Sequence, residues 1–206
     1  MIVNRLNTLT DPHRDNDERG VSLIIVMIVL AVVSLIGVAG IQISTLSERS
    51  ARNDRDQQMA WQSAEAALLD AELDVIDAGI STRNTTFQDQ SAFLTGCGTS
   101  GVNQGLCELV AAGKPAWLTV DFDASGSGAP TTAYGTFTGR TFAAGSAGVQ
   151  PAKVPRYVIE PIVDRSGGGS SRDTGVSELK YVYRVTAMGY GPRPNIQAVL
   201  QMTVRP

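Results

Sequence analysis

Histidine is almost missing from this chain of 206 residues; His13 is the sole one. A Ser or Cys nucleophile is left without its usual base, so hydrolytic triads do not fit this sequence. Cysteine is nearly as scarce. Cys97 and Cys107 stand alone, too few ligands for zinc when a single histidine accompanies them. Their spacing suits a short oxidised loop, whose closure contributes about 3 kcal/mol in the chain-entropy picture; a metal site and a reactive thiol are the alternatives. Basic excess is lacking too. With a formal charge of -3 and a pI near 5.2, no overall positive field is present to attract nucleic acid.

The absence with the largest consequence is one of charge within a segment. Residues 21–41 contain no Asp, Glu, Lys or Arg, which as helix is about 30 Å, enough to cross the hydrocarbon of a bilayer. A buried helix of a soluble protein seldom runs so far uncharged. A cleaved secretory signal has a shorter apolar core, about 7 to 15 residues, and an Ala-x-Ala-like exit. Here the exit reads Gly37-Val38-Ala39-Gly40-Ile41-Gln42. Residues 1–20 also mix Asp11, Asp15, Asp17 and Glu18 with Arg5, Arg14 and Arg19, unlike a basic signal start. Because Arg49, Arg52 and Arg55 follow the span, the positive-inside rule does not decide orientation. An oxidised cysteine loop would place the C-terminal part in the periplasm.

Residues 44–78 lack Gly and Pro and are dense in Ala, Leu, Glu, Gln and Arg, so the helix is expected to continue out of the membrane. A helix over residues 21–78 would be about 87 Å long, more than one head can cover. Ala60, Ala64, Ala67 and Ala71 recur at spacings of three and four toward Val75, and Trp61, Leu68 and Val75 lie seven apart. This apolar stripe is where the head is expected to pack. Glu48 with Arg52, and Arg52 with Asp56, read as i,i+4 pairs on a wet surface. Asp70, Glu72, Asp74 and Asp77 gather where the helix dipole disfavours them. They read either as a solvated acidic face or as a docking surface for basic residues of a neighbour. Ser34, Gly37 and Gly40 form a small-residue strip short of a full Gly-x-x-x-Gly motif.

The second half is rich in Gly, Ser and Thr, which predicts turns and short strands. Residues 117–122, 156–163, 180–187 and 196–204 cluster β-branched and aromatic side chains between Gly and Pro breaks, and read as strands. Residues 189–195 would join the last two as a hairpin loop, and residues 164–175 the previous two. Residues 123–152 read as a long irregular insertion forming variable surface. Asp121-x-Asp123-x-Ser125-Gly126 resembles the opening of a calcium loop, yet the twelfth position is Thr132, not Glu, and a plain turn is preferred. Asp121 and Asp123 are the only close acid pair in this half and suit no acid/base couple. Gly167 to Gly169 lack the Lys of a phosphate loop. The fold class expected is α+β: a long N-terminal helix, transmembrane and then amphipathic, packed against a C-terminal antiparallel sheet.

Arg19-Gly20 followed by Val21-Ser22-Leu23-Ile24 looks like a prepilin cleavage motif. Leu46-Ser47-Glu48-Arg49, Asn53-Asp54-Arg55-Asp56 and the run from Ala60-Trp61-Gln62-Ser63 to Leu68 resemble the PilX family of type IV pilus minor pilins. Tyr183-Arg184-Val185-Thr186-Ala187 with Gly189, and Ala198-Val199-Leu200-Gln201, are similar to that family's closing strands. The resemblance is dense over residues 19–78 and 180–202 and not visible across the middle of the head.

It implies a type IV pilin-like architecture: a leader, 1–20, cut by prepilin peptidase between Gly20 and Val21; a transmembrane segment, 21–42; an amphipathic stem, 43–78; and a β-rich periplasmic head, 79–206. The stripe of Ala60, Ala64, Ala67, Leu68 and Ala71 would be the helix face used in assembly. Most pilins carry Glu at the fifth mature position, whereas this chain has Ile25. A carboxylate in lipid needs a partner, and a subunit with nothing beyond it would need none, so the resemblance implies a place at the filament tip or in the initiating complex. It also implies a structural subunit rather than an enzyme, without cofactor. Implied partners are other minor pilins, the major pilin, the inner-membrane assembly machinery and a tip adhesin. The alternatives are a GspK-like pseudopilin of type II secretion and a membrane-anchored periplasmic binding module that never polymerises.

Overall fold

A computed structural model describes residues 19–145, 150–164 and 180–206. Residues 1–18, and the loop expected over 164–175 with its glycines Gly167 to Gly169, lie wholly or mostly outside the described residues. The chain packs as two units, Met1–Ser50 and Ala51–Pro206.

In the first unit every described residue belongs to helix α1, Arg19–Ile76. From Val21 to Leu46 the large apolar side chains are between 48% and 71% exposed, so none of the described residues covers them. Two hydroxyls in this stretch satisfy themselves: Ser34 Oγ donates to Leu30 O at 2.7 Å and Thr45 Oγ1 to Gln42 O at 2.9 Å. Such back-bonding hides a polar group in an apolar surface. α1 is long and apolar enough to cross a membrane.

The second unit begins within α1 and carries an antiparallel meander of four strands in the order β1 (Thr132–Ala133), β2 (Arg156–Val163), β3 (Tyr181–Tyr190) and β4 (Gln197–Val204). The β2–β3 register pairs Tyr157 with Ala187 and Ile159 with Val185; β3–β4 pairs Gly189 with Ala198 and Tyr183 with Val204. Strand alternation then sorts the side chains by face. Tyr157, Ile159, Tyr183, Val185, Ala187 and Val204 join Ala67, Ala71 and Val75 of α1 in one core. Val158 and Met188, on the other face, join Cys97, Cys107, Ala116 and Phe122 in a second. The sheet is thus lined on one side by the stem and on the other by the disulfide segment. A long N-terminal helix whose C-terminal part packs on an antiparallel sheet is an α+β, pilin-like fold.

Two expectations need correction. Residues 117–122 are not a strand: Pro115, at φ -62 and ψ 154, caps a four-residue helix α2, Ala116–Thr119. Proline is pre-set for a helix start, and an Asp121 Oδ1 that accepts from Asp123 N at 2.8 Å turns the chain away directly after it. Nor is the stretch 123–152 merely surface. Thr131 and Thr132 are fully buried, and Phe137 nearly so.

Candidate functional site

The features that could carry function are the stem surface and the junction holding the head to it. The junction starts from residue size. Ala60, Ala64, Ala67 and Ala71 are all fully buried, and a sheet can approach a helix closely only where such small residues face it. The tightest point is Gly189 of β3: a methyl group there would collide with Ala64 N and Ala60 O. Gly191 is similarly pressed against Asp56 O. Arg193 Nη2, in the β3–β4 turn, reaches Asp56 Oδ2 at 3.4 Å, and Arg55 Nη2 meets the other oxygen at 3.3 Å. Asp56 therefore answers to Arg193 and Arg55, not to the Arg52 expected from i,i+4 spacing.

Further along α1 the contact becomes polar. Asp74 and Arg83 form an ion pair with both side chains fully buried, the Nη2–Oδ2 distance being 2.5 Å. Asp74 also accepts from Ser81 Oγ at 2.8 Å and from the Tyr157 hydroxyl at 2.9 Å. Burial first, then the neighbouring Asp74 charge, pushes that hydroxyl well above the usual tyrosine range. Arg83 Nη1 donates to the carbonyls of Val102 and Gln104, at 3.1 and 2.5 Å, and its guanidinium lies 3.7 Å from the Phe137 ring centroid. Each donor direction is used, the condition under which a buried charge is tolerated. One turn earlier, Asp70 accepts from Gly135 N at 2.8 Å and Thr138 Oγ1 at 2.5 Å, with Arg140 Nη1 at 3.7 Å. Burial raises its carboxyl above the ordinary aspartate value, and these donors pull it partly back.

For Asp70 and Asp74, though not for the half-exposed Glu72 and Asp77, both readings of the acidic cluster fail. Asp70 and Asp74 are neither solvated nor available to a neighbouring subunit, because the chain's own head consumes them. Their partners are Gly135, Thr138 and Arg140 for Asp70, and Ser81, Arg83 and Tyr157 for Asp74, and no motif announces them. The one sequence signal was negative: carboxylates at a helix end whose dipole repels them.

The alanine stripe is corrected likewise. Ala60, Ala64, Ala67 and Ala71 are covered within the subunit, with Leu68 partly buried beside them, so they cannot double as a face for other subunits. Trp61, grouped with that stripe by its heptad spacing, is 51% exposed and donates Nε1 to Glu65 Oε1 at 2.9 Å. With Leu69 and Ile76, also about half exposed, it makes a second apolar strip that the head leaves open.

Cys97 and Cys107 are joined by a disulfide with an S–S distance of 2.03 Å. The loop it closes bends back so that Gly105 N donates to Gly98 O at 2.9 Å and contains the Val102 and Gln104 carbonyls that hold Arg83. Asp123 Oδ1 lies 2.8 Å from Lys153 Nζ, a hydrogen bond that lowers the Asp123 pKa; Asp121 caps its own turn and Ser125 is exposed. A carboxylate engaged by an ammonium is a poor calcium ligand, and no cluster of metal-ligating residues occurs among the described residues. Gly20 and Val21 both fall in the first turn of α1, and Ile25 lies one turn further, exposed among equally exposed apolar neighbours.

Comparison with protein families matches residues 103–206 to a model described as Type IV pilus assembly protein PilX C-term, and residues 19–69 to one described as PilX N-terminal. Comparison with curated proteins and with solved structures returned no match.

Proposed function

The chain belongs to the PilX family of type IV pilus assembly proteins, and we propose that this minor pilin primes or caps the filament from a position near its tip. The family works by assembly of structural subunits together with other pilins rather than by turnover. The observation that carries the finer reading is Ile25. Across residues 21–41 no charge occurs, so no carboxylate is available to meet the amino terminus of a subunit beyond. In lipid such a carboxylate would be costly without that partner. Its absence suits a terminal subunit.

In this reading prepilin peptidase cuts between Gly20 and Val21, releasing the leader 1–20. The mature chain waits in the inner membrane as a single pass through residues 21–42, with the stem 43–78 and the head 79–206 in the periplasm, where the Cys97–Cys107 disulfide can form. The assembly machinery then transfers the apolar helix from lipid into a bundle of similar helices of the other minor pilins and the major pilin. Trp61, Leu69 and Ile76 extend the apolar surface that neighbours cover, and a tip adhesin is a further partner.

Mass spectrometry of the protein from membrane and sheared-pilus fractions tests this. The expected product starts at Val21 in both. A chain that keeps Met1 in the filament fraction would refute the processing step. An Ile25→Glu variant is expected to lose its place at the tip or fail to prime assembly; unchanged piliation and position would remove the tip reading.

A further inference from the structure

At the end of the sheet where β2 begins and β3 ends, the head has a half-open cavity of about 530 Å³. Phe122, Tyr134 and Tyr190 supply its aromatic lining, and Asp123, Ser125, Lys153 and Arg156 its polar lining. Arg156 is 8% exposed. Its Nε donates to Thr131 Oγ1 at 2.5 Å and its Nη2 to Thr131 O at 2.6 Å. Both acceptors are neutral, and among the described residues no carboxylate pairs with this guanidinium. A buried cation without a counter-charge is costly. That cost is visible in a pKa which burial draws below the usual arginine value. Lys153 Nζ sits 2.8 Å from Asp123 Oδ1 and 5.4 Å from the Tyr190 ring centroid. Two cations therefore face the cavity against one acid.

We propose that this cavity binds a sugar acid, with its carboxylate between Arg156 and Lys153, its ring against Tyr134 and its hydroxyls on Asp123 and Ser125. Three ligand chemistries compete, and the lining separates them. Sulfate, fully deprotonated, would answer Arg156 but meet the Asp123 carboxylate with no donor to offer it. A neutral sugar would donate to Asp123 and leave Arg156 unmatched. A hydroxylated ring bearing one carboxylate satisfies both, and the apolar faces of a pyranose suit aromatic walls. The volume falls in the range of small-ligand sites, about 300 to 1,000 Å³, and holds a mono- or disaccharide.

The test is calorimetric titration of the full chain, in a detergent without a sugar headgroup, with galacturonate, galactose, sulfate and a short Glu-containing peptide. Galacturonate is expected to bind with a Kd of about 1 mM, with galactose, sulfate and the peptide at least tenfold weaker. Lys153→Gln and Arg156→Gln are each expected to weaken galacturonate at least tenfold. Because Arg156→Gln also loses its bonds to Thr131, its circular dichroism and melting are compared with wild type. If it does not fold, Lys153→Gln, on the solvent-facing rim, decides alone. Equal binding of sulfate, preference for the peptide, unaltered binding in Lys153→Gln, or no uronate binding would each overturn the assignment.

Discussion

Arg83 Nε donates to Asp74 Oδ2 at 2.9 Å while the guanidinium stacks on Phe137, so one side chain ties the stem helix, the disulfide loop and the insertion into a single buried network. Removing Asp74 leaves that cation without a counter-charge. Asp74→Ala is expected to destabilise the head by about 3 to 5 kcal/mol, measured by denaturant unfolding in detergent. The double variant Asp74→Met, Arg83→Met is expected to recover much of the loss, since an apolar pair lacks the uncompensated charge. Equal damage in single and double variants would contradict this account.

The seat of Gly189 on Ala60 and Ala64 makes a steric prediction. Gly189→Ala adds only one carbon, but that carbon meets backbone, which cannot rotate away. A loss of about 1 to 3 kcal/mol is expected, with faster proteolysis of the head. Met188→Ala, one residue away on the opposite face, is expected to leave the seat intact, a difference that limited proteolysis of the stem can read.

The Asp70 carboxyl has its pKa raised chiefly by burial. A group that holds its proton more tightly when folded stabilises the fold most at low pH, and that contribution is lost as the pH rises through its folded pKa. The stability of wild type minus that of Asp70→Asn is therefore expected to be greatest below about pH 4 and to fall as the pH rises. Unfolding both proteins between pH 3 and 7 checks the sign. A difference that grows with pH would mean the Gly135, Thr138 and Arg140 contacts outweigh burial.

How much of this was legible in the sequence follows from the range of each interaction. The helix was readable because an uncharged run and a Gly- and Pro-free stem are local properties. Strands β2 to β4 were readable for the same reason. The false strand at residues 117–122 shows the limit: Trp117, Leu118 and Val120 have strand-like chemistry, and the Pro115 start and Asp121 turn decided otherwise. Asp70 and Asp74 were beyond reach because Gly135, Thr138 and Tyr157 lie 65, 68 and 83 residues away. Their burial depends on partners that no local pattern reveals. The alanine stripe was found, but spacing alone could not say whether its partner was this head or another subunit.

Opening the disulfide is expected to cost more than loop entropy. Cys97→Ser with Cys107→Ser should lose about 3 kcal/mol from the unfolded-state term, and the freed loop no longer fixes the Val102 and Gln104 carbonyls on Arg83. Hydrogen exchange at residues 98–107 is expected to rise together with exchange at residues 70–83. A rise confined to the loop would show that the two are uncoupled.

Trp61 offers the complementary outcome, a change felt only in assembly. Its ring is half exposed, and its Nε1 donates to Glu65 on the same helix. Trp61→Ala is expected to alter the stability of the isolated subunit by less than about 0.5 kcal/mol while reducing recovery of the subunit in sheared pili. Quantitative immunoblotting of the two fractions measures the ratio.

Glycine at position 189 is already the smallest residue available, and this makes the seat tolerant of change in one direction only. A bulkier residue at position 60 or 64 cannot be accommodated by trimming its opposite number, because there is nothing left to trim. The sheet would have to lift as a whole, taking its neighbours with it. Variation can therefore accumulate on the outer strip of the stem while this patch stays frozen, and the exposed side of the helix is free to diversify without disturbing how its own head is mounted.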